Sequence, residues 1–367
     1  MKYRVLLSKY AAKKLQKMDK NTSKKIYDFL KKINNSENPR IKGEALSRNL
    51  KGYWKYKPLK NYRIVVEIQD DKLIVLAVEI EHRSKVYLIL NKLKKSFIKI
   101  NNEKFKYREW VFMNRNIFIT GATSGIGKET AYAFAKNGDN VILCARNGEK
   151  LKEIKIDIDR KYGTNAYVFI LDVSKYNDVV KTVKKVMEDV KKVDVLINNA
   201  GLALGLDKFQ DYDIMDIEKM IDTNIKGLLY ITRQILPNMV ANDEGHIINI
   251  GSTAGIYAYA GAAVYCATKS AVKVLSDGIR IDTIHKNIKV TTVQPGIVET
   301  NFSNVRFHGN MEQAKKVYEG IEALKPEDIA NTILYIANQP KHVQISDVTI
   351  MATNQATGFN IYRKNQK

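Results

Sequence analysis

Cysteine is nearly absent. The 367 residues hold only Cys144 and Cys266, too few for a disulfide framework. No CxxC pair occurs and the five histidines are scattered, so zinc-type ligand spacing is missing and no metal is expected. Long apolar runs are missing as well. No stretch is long enough to span a bilayer, and the opening MKYRVLLSKYAAKK lacks the apolar core of a signal peptide. The expectation is a protein of the reducing cytoplasm with no membrane contact. Acidic residues are scarce in one third of the chain only. Residues 1–112 carry 29 Lys and Arg against 11 Asp and Glu, whereas residues 113–367 carry 32 against 28. Most of the net charge of +22 therefore belongs to the first third, a density that favours polyanionic partners.

The length suits two domains. YRVLLS reads as a short strand, followed by a Lys-rich stretch with Leu15, Met18, Ile26 and Leu30 near helical spacing, enough for two helices. Gly52 and YWKYK lead into YRIVVEI and KLIVLAVEI, a hairpin broken at Gln69-Asp70-Asp71-Lys72. Residues 1–90 are thus a small α+β domain, residues 91–112 a linker biased to Lys, Asn, Ile and Phe, and residues 113–367 a second domain. In the second domain NIFIT, VILCAR, AYVFILDV, VDVLINNAG, HIINIGS and KVTTVQPG alternate with helical segments. That order predicts a doubly wound α/β parallel sheet of the Rossmann type, with ligands beyond the carboxyl ends of the strands.

Thr120-Gly121-Ala-Thr-Ser124-Gly125-Ile126-Gly127 sits between a strand and a helix, where glycines admit a pyrophosphate to backbone N–H groups and a helix N-terminus. The second strand ends in Arg146, where an NAD site usually has an acid. A guanidinium there stabilises a 2′-phosphate, so NADP is favoured. Asp172 is placed for the adenine amine, and Asn199-Ala200-Gly201 puts small residues beside the cofactor.

Ser252 ends a strand, and Tyr265 and Lys269 stand four apart on one helical face. Alcohol oxidation needs a base to take the hydroxyl proton. A phenol is a poor base at neutral pH, and the neighbouring ammonium is expected to lower its pKa. Ser252 would hold the substrate oxygen. With TGATSGIG, NNAG, the serine, YCATK and QPG in order, residues 114–362 resemble the short-chain dehydrogenase/reductase family. The resemblance implies that Asn224 anchors a water relay to Lys269 and that Lys269 also binds the nicotinamide ribose. It implies a cofactor site of Gly121, Ser124, Gly125, Ile126, Gly127, Arg146, Asp172, Val173, Asn199, Tyr265, Lys269, Pro295, Gly296 and Val298. NNAGLALG, MIDTNIKGLLYITR, GHIINIGSTAG, YAGAAVYCATK and FSNVRFHG resemble the subgroup acting with NADP on 3-hydroxy acids. That likeness implies serine, L-allo-threonine or 3-hydroxypropionate and its semialdehyde as substrates, and a homotetramer. Members often carry a second arginine where this chain has Asn147. Arg306 is the candidate for the substrate carboxylate, beside Ser252 and Tyr265. A reductase of 3-oxoacyl thioesters is the alternative.

In the basic first third, Lys55, Lys57, Arg63, His82, Arg83 and Tyr87 would form a cationic surface interleaved with aromatics, suited to RNA. GYWKYK, NYRIVVEI and HRSKVY make residues 1–90 similar to the RelE/ParE-type toxins. That resemblance implies mRNA cleavage on the ribosome, with Lys55, Lys57 and Arg63 at the phosphate and Arg83 and Tyr87 at the ribose. A ribosome, mRNA or an antitoxin would then be the partner. Glu81 stands where that family often has an arginine. Met113 opens a segment that could start a reductase by itself, so two adjacent reading frames joined through 91–112 is a further expectation.

Overall fold

The computed structural model describes residues 3–8, 11, 14–15, 18–34, 36–46, 52–70, 74–82, 115–162 and 164–364. The chain divides into two compact units, Met1–Met113 and Asn114–Lys367. The stretch expected as a linker, 91–112, lies outside the described residues, as does most of the first expected helix.

Among the described residues of the first unit, five strands form one sheet: β1 (Arg4–Leu7), β2 (Gly43–Ala45), β3 (Tyr53–Leu59), β4 (Tyr62–Gln69) and β5 (Ile74–His82). Their order is β1-β5-β4-β3-β2, with β1 parallel to β5 and the other pairs antiparallel. Helix α1 (Lys20–Ile33) starts at Asp19, whose carboxylate accepts from Thr22 N at 3.0 Å. Its Ile26, Leu30 and Ile33 recur at i, i+4 and i+7 and are fully buried on Val5, Leu7, Tyr56, Ile64 and Val66. YWKYK, expected as a run leading into the sheet, is itself part of β3.

Among its described residues the second unit has seven strands: β6 (Asn116–Thr120), β7 (Asn140–Ala145), β8 (Ala166–Ile170), β9 (Val195–Asn198), β10 (Gly245–Ile250), β11 (Ile288–Pro295) and β12 (Asp347–Ile350). All pair in parallel, in the order β12-β11-β10-β9-β6-β7-β8. Both faces are covered. Ile117 and Ile119 of β6 pack with α2 (Gly125–Lys136), α3 (Gly148–Tyr162) and α10 (Pro326–Ala337) through Phe134, Ile158 and Ile333. Phe118, between them in sequence, packs the other way on α4 (Tyr176–Val190) and α6 (Leu228–Ala241) through Val183 and Ile235. Such two-sided burial explains the unbroken apolar run of β6. The remaining helices are α5 (Ile214–Ile221), α7 (Ala263–Asp282), α8 (Phe302–Arg306) and α9 (Met311–Lys316).

The chain moves from β6 outward to β7 and β8, then returns to β9 on the other side of β6. The crevice between the carboxyl ends of β6 and β9 is therefore the switch point where ligands of such sheets bind. Beyond β11 the chain makes an excursion closed at its base. Val298 bridges Leu324, Glu299 N donates to Leu324 O at 2.8 Å, and Leu324 N donates to Ile297 O at 3.0 Å. The excursion carries α8 and α9.

Candidate active site

The turn after β6 is braced from below. Thr120 Oγ1 accepts from the backbone N–H groups of Asn199 and Ala200, both at 2.9 Å. Asn199 Nδ2 donates back to Thr120 O at 2.9 Å and to Gly121 O at 3.2 Å. Two glycines are required here. Gly121 has φ +65°, and a Cβ on Gly127 would lie 2.4 Å from both Gly121 O and Asn199 Nδ2. A side chain at Gly127 would fill the cradle, whereas the bare backbone leaves the N-terminus of α2 open to a pyrophosphate.

Above this turn lies a cavity of about 420 Å³. Of the expected cofactor residues, Gly121, Ser124, Ile126, Arg146, Asp172, Val173, Asn199, Tyr265, Lys269, Pro295, Gly296 and Val298 line it. Gly125 and Gly127 shape the turn instead. Arg146 is exposed at the end of β7. Its neighbour Asn147 also lines the cavity, and its Oδ1 accepts from Lys150 N at 3.0 Å at the start of α3. Burial pushes the Asp172 carboxyl up, but bonds from Ser174 N (3.0 Å) and Oγ (2.7 Å) and the charge of Arg146 outweigh it, holding the group below its usual range.

Ser252 follows β10, its Oγ accepting from Ala254 N at 3.1 Å. Tyr265 and Lys269 lie one turn apart on α7, with Lys269 Nζ 5.9 Å from the Tyr265 ring centroid. Nζ donates to Ile250 O at 2.8 Å. Asn224 occupies a π-helical turn, Asp222–Gly227, between α5 and α6. Its amide exchanges bonds with Leu202 N (2.9 Å) and Leu202 O (2.8 Å) and reaches Thr268 Oγ1 at 3.1 Å. A Cβ on Gly201 would sit 3.3 Å from Asn224 Oδ1 and 3.4 Å from Lys269 Nζ, so the glycine lets both approach one point.

The electrostatics differ from the sequence expectation. Burial pushes the Tyr265 hydroxyl up to about 12, and Lys269 is not among the groups that oppose this. The opposing groups are Arg306 and the Ser252 hydroxyl. Burial also brings Lys269 down to about 8, because an ammonium loses its hydration there. Desolvation thus outweighs the ammonium–phenol attraction at this separation. Arg306, at the end of α8, lies with Cζ 5.1 Å from the Tyr265 ring centroid, and its Nη2 donates to Tyr259 Oη at 2.7 Å. Among the described residues Arg306 forms no ion pair.

In the first unit, Lys55 pairs with Glu44 at 3.1 Å and Lys57 pairs with the same carboxylate. Arg63 Nη1 donates to the carbonyls of Leu59 (3.1 Å), Lys60 (3.1 Å) and Tyr62 (2.8 Å) in its own hairpin. Glu44 follows from no composition count, since β2 brings it opposite Lys55. The expected cationic face is therefore partly neutralised. Arg83 and Tyr87 lie outside the described residues. Glu81 is buried and pairs with Lys14.

Residues 115–310 match the family described as short chain dehydrogenase. The chain belongs to that family. The dehydrogenase is 41% identical over 251 residues to the NADP-dependent 3-hydroxy acid dehydrogenase of Schizosaccharomyces pombe, a match spanning 68% of this chain and 97% of that protein. It is 43% identical over 249 residues to the enzyme of the same description from Salmonella typhi, covering 67% of this chain and 99% of the relative. Among solved structures it resembles the closed form of a serine dehydrogenase complexed with NADP+, at 40% identity and TM-score 0.64, covering 68% of this chain and 100% of that one. Residues 5–87 match the ParE toxin of the type II toxin-antitoxin system parDE.

Sequence reasoning missed two aromatic residues of this dehydrogenase site, Tyr259 and Phe302, which flank Arg306. The signal was faint. IYAYAG is a turn and NFSNVR holds a five-residue helix, both too short to show periodicity, and only the folded chain brings them together.

Proposed function

We propose that residues 113–367 form an NADP-dependent oxidoreductase acting on a small 3-hydroxy acid or the matching 3-oxo acid, with serine, L-allo-threonine and 3-hydroxypropionate as the substrate class. The chain is read as three parts: a toxin-like unit over 1–90, a linker over 91–112 and the dehydrogenase. The glycine cradle and Arg146 fit a dinucleotide bearing a 2′-phosphate. NADP, when bound, supplies the hydride acceptor or donor.

The chain's own residues do the rest. Tyr265 Oη takes the hydroxyl proton in oxidation and returns it in reduction. Ser252 Oγ donates to the substrate oxygen as charge develops. Arg306 and the Ser252 hydroxyl partly offset the burial that holds Tyr265 protonated, while Lys269 sits one turn away on the same helix. Asn224 fixes the π turn against Leu202 and Thr268, beside Lys269. The observation that carries the substrate reading is Arg306, a guanidinium beside Tyr265 that meets aromatic rings and no carboxylate among the described residues. It is suited to pair with a substrate carboxylate.

A panel of hydroxy acids and their uncharged counterparts, run with NADP and NAD, tests this reading. Arg306→Ala is expected to raise KM for 3-hydroxypropionate far more than for its methyl ester, and equal losses sink the assignment. Preferential reduction of acetoacetyl-CoA over malonic semialdehyde would move the substrate class to thioesters. A homotetramer is proposed for assembly. Exposed Leu229, Val274 and Ile281 on α6 and α7 support it, and light scattering checks it.

A further inference from the structure

Arg306 is enclosed by three rings: its Cζ lies 5.1 Å from the centroid of Tyr265, 5.6 Å from Phe302 and 5.7 Å from Tyr259. Ring faces attract a cation, but they do little to fix the direction in which its N–H groups point. One directional contact does that, the bond from Nη2 to Tyr259 Oη at 2.7 Å. Nε is buried without a partner, so the guanidinium has donor capacity to spare. The backbone of Arg306 is held separately, its carbonyl accepting from Gly205 N at 2.9 Å.

Tyr259 is itself well placed to act as a stop. It sits in the turn before α7, where Ala262 N donates to Tyr259 O at 3.2 Å. Gly261 in that turn has φ +74°, and a Cβ there would lie 2.6 Å from Leu206 O. The turn is therefore packed against the segment after β9 and delivers the phenol oxygen from a fixed point.

We propose that Tyr259 is a positioning residue for substrate carboxylate recognition, its hydroxyl locking the Arg306 guanidinium so that a free N–H edge faces the space beside Tyr265. This rests on the role proposed above for Arg306 and adds a residue that touches no reacting atom. Tyr259→Phe isolates the effect, because the ring stays against the guanidinium and only the acceptor goes. The expected result is a roughly tenfold lower kcat/KM for 3-hydroxypropionate, carried by KM, with the methyl ester unaffected.

The experiment compares wild type, Tyr259→Phe, Arg306→Ala and the double variant on 3-hydroxypropionate and its methyl ester at saturating NADP. The proposal stands if Tyr259→Phe impairs the acid alone and adds nothing once Arg306 is gone. Equal loss on acid and ester, or a loss that persists on top of Arg306→Ala, overturns it and marks Tyr259 as structural. If Arg306→Ala discriminates between the substrates while Tyr259→Phe has no effect, only the positioning role falls. If Arg306→Ala treats acid and ester alike, the carboxylate reading falls and the positioning role with it.

Discussion

Lys269 donates to the carbonyl of Ile250 at 2.8 Å, which ties the middle of α7 to the end of β10. The bond places the ammonium beneath the cleft and leaves Tyr265 to be tuned by several groups at once. Burial dominates both residues, raising the phenol and lowering the ammonium, so each is driven toward its neutral form.

A stability difference with a defined pH window follows for Lys269→Met. Between the folded value of about 8 and the ordinary 10.5, the unfolded chain binds a proton that the folded chain lacks. Wild-type stability therefore rises with pH across that window, and the cost of burying the charge is greatest below it. At pH 7 the variant is expected to gain up to roughly 3–4 kcal/mol, less what the Ile250 carbonyl loses with its donor. The gain should shrink toward pH 10. Urea denaturation at pH 7, 8.5 and 10 reads it, and a pH-independent gap would contradict the assignment.

Removing the Tyr265 hydroxyl should separate chemistry from binding. Tyr265→Phe keeps the ring against Phe302 (centroids 5.7 Å apart) and Arg306 but has no proton to move. A fall in kcat of roughly 10³-fold is expected, with NADP affinity within a few-fold of wild type. Stopped-flow and fluorescence titration measure the two quantities, and a kcat within tenfold of wild type would remove Tyr265 from the proton path.

Arg146 and Asn199 should fail in different ways. Arg146→Ala should weaken NADP roughly 10- to 100-fold while leaving NAD unchanged, since only the 2′-phosphate is affected. Comparable weakening of both dinucleotides would show that Arg146 does not read the phosphate.

Asn199→Ala, by contrast, withdraws the donors that brace Thr120 O and Gly121 O. NADP and NAD should weaken by one common factor, and the fold should lose about 1–3 kcal/mol. Calorimetry beside titration checks both parts. Unchanged stability with selective loss of NADP would show Asn199 reading the cofactor rather than holding the turn.

Six of the seven strands of the dehydrogenase sheet were legible in the sequence, because each is an apolar run bounded by turn residues and followed by a helical pattern. β12 was not. Its residues alternate between exposed and half-buried at the sheet edge, and four such residues give too little contrast. β2 escaped for the same reason, being three residues of mostly exposed strand. Ser252, Tyr265 and Lys269 were legible because strand ends and i, i+4 spacing are local properties. Their proton affinities were not, since the dielectric around Tyr265 depends on every element packed over it. The Arg306–Tyr259 bond joins a short helix to a turn 47 residues away, a contact that no local pattern encodes.

The closure of the excursion by Val298 and Leu324 has an evolutionary consequence. A segment that enters and leaves the framework at neighbouring points can be lengthened, shortened or exchanged as a cassette, because closing a longer loop costs little more than closing a short one. Ser252, Tyr265 and Lys269 are anchored outside it, whereas Arg306 rides within it. Under the proposed roles, grafting the 299–323 segment between relatives would change the substrate while leaving Ser252, Tyr265 and Lys269 in place. Such a graft would have to preserve the Tyr259 contact to the guanidinium and the Gly205 bond to the Arg306 carbonyl to keep its arginine aimed.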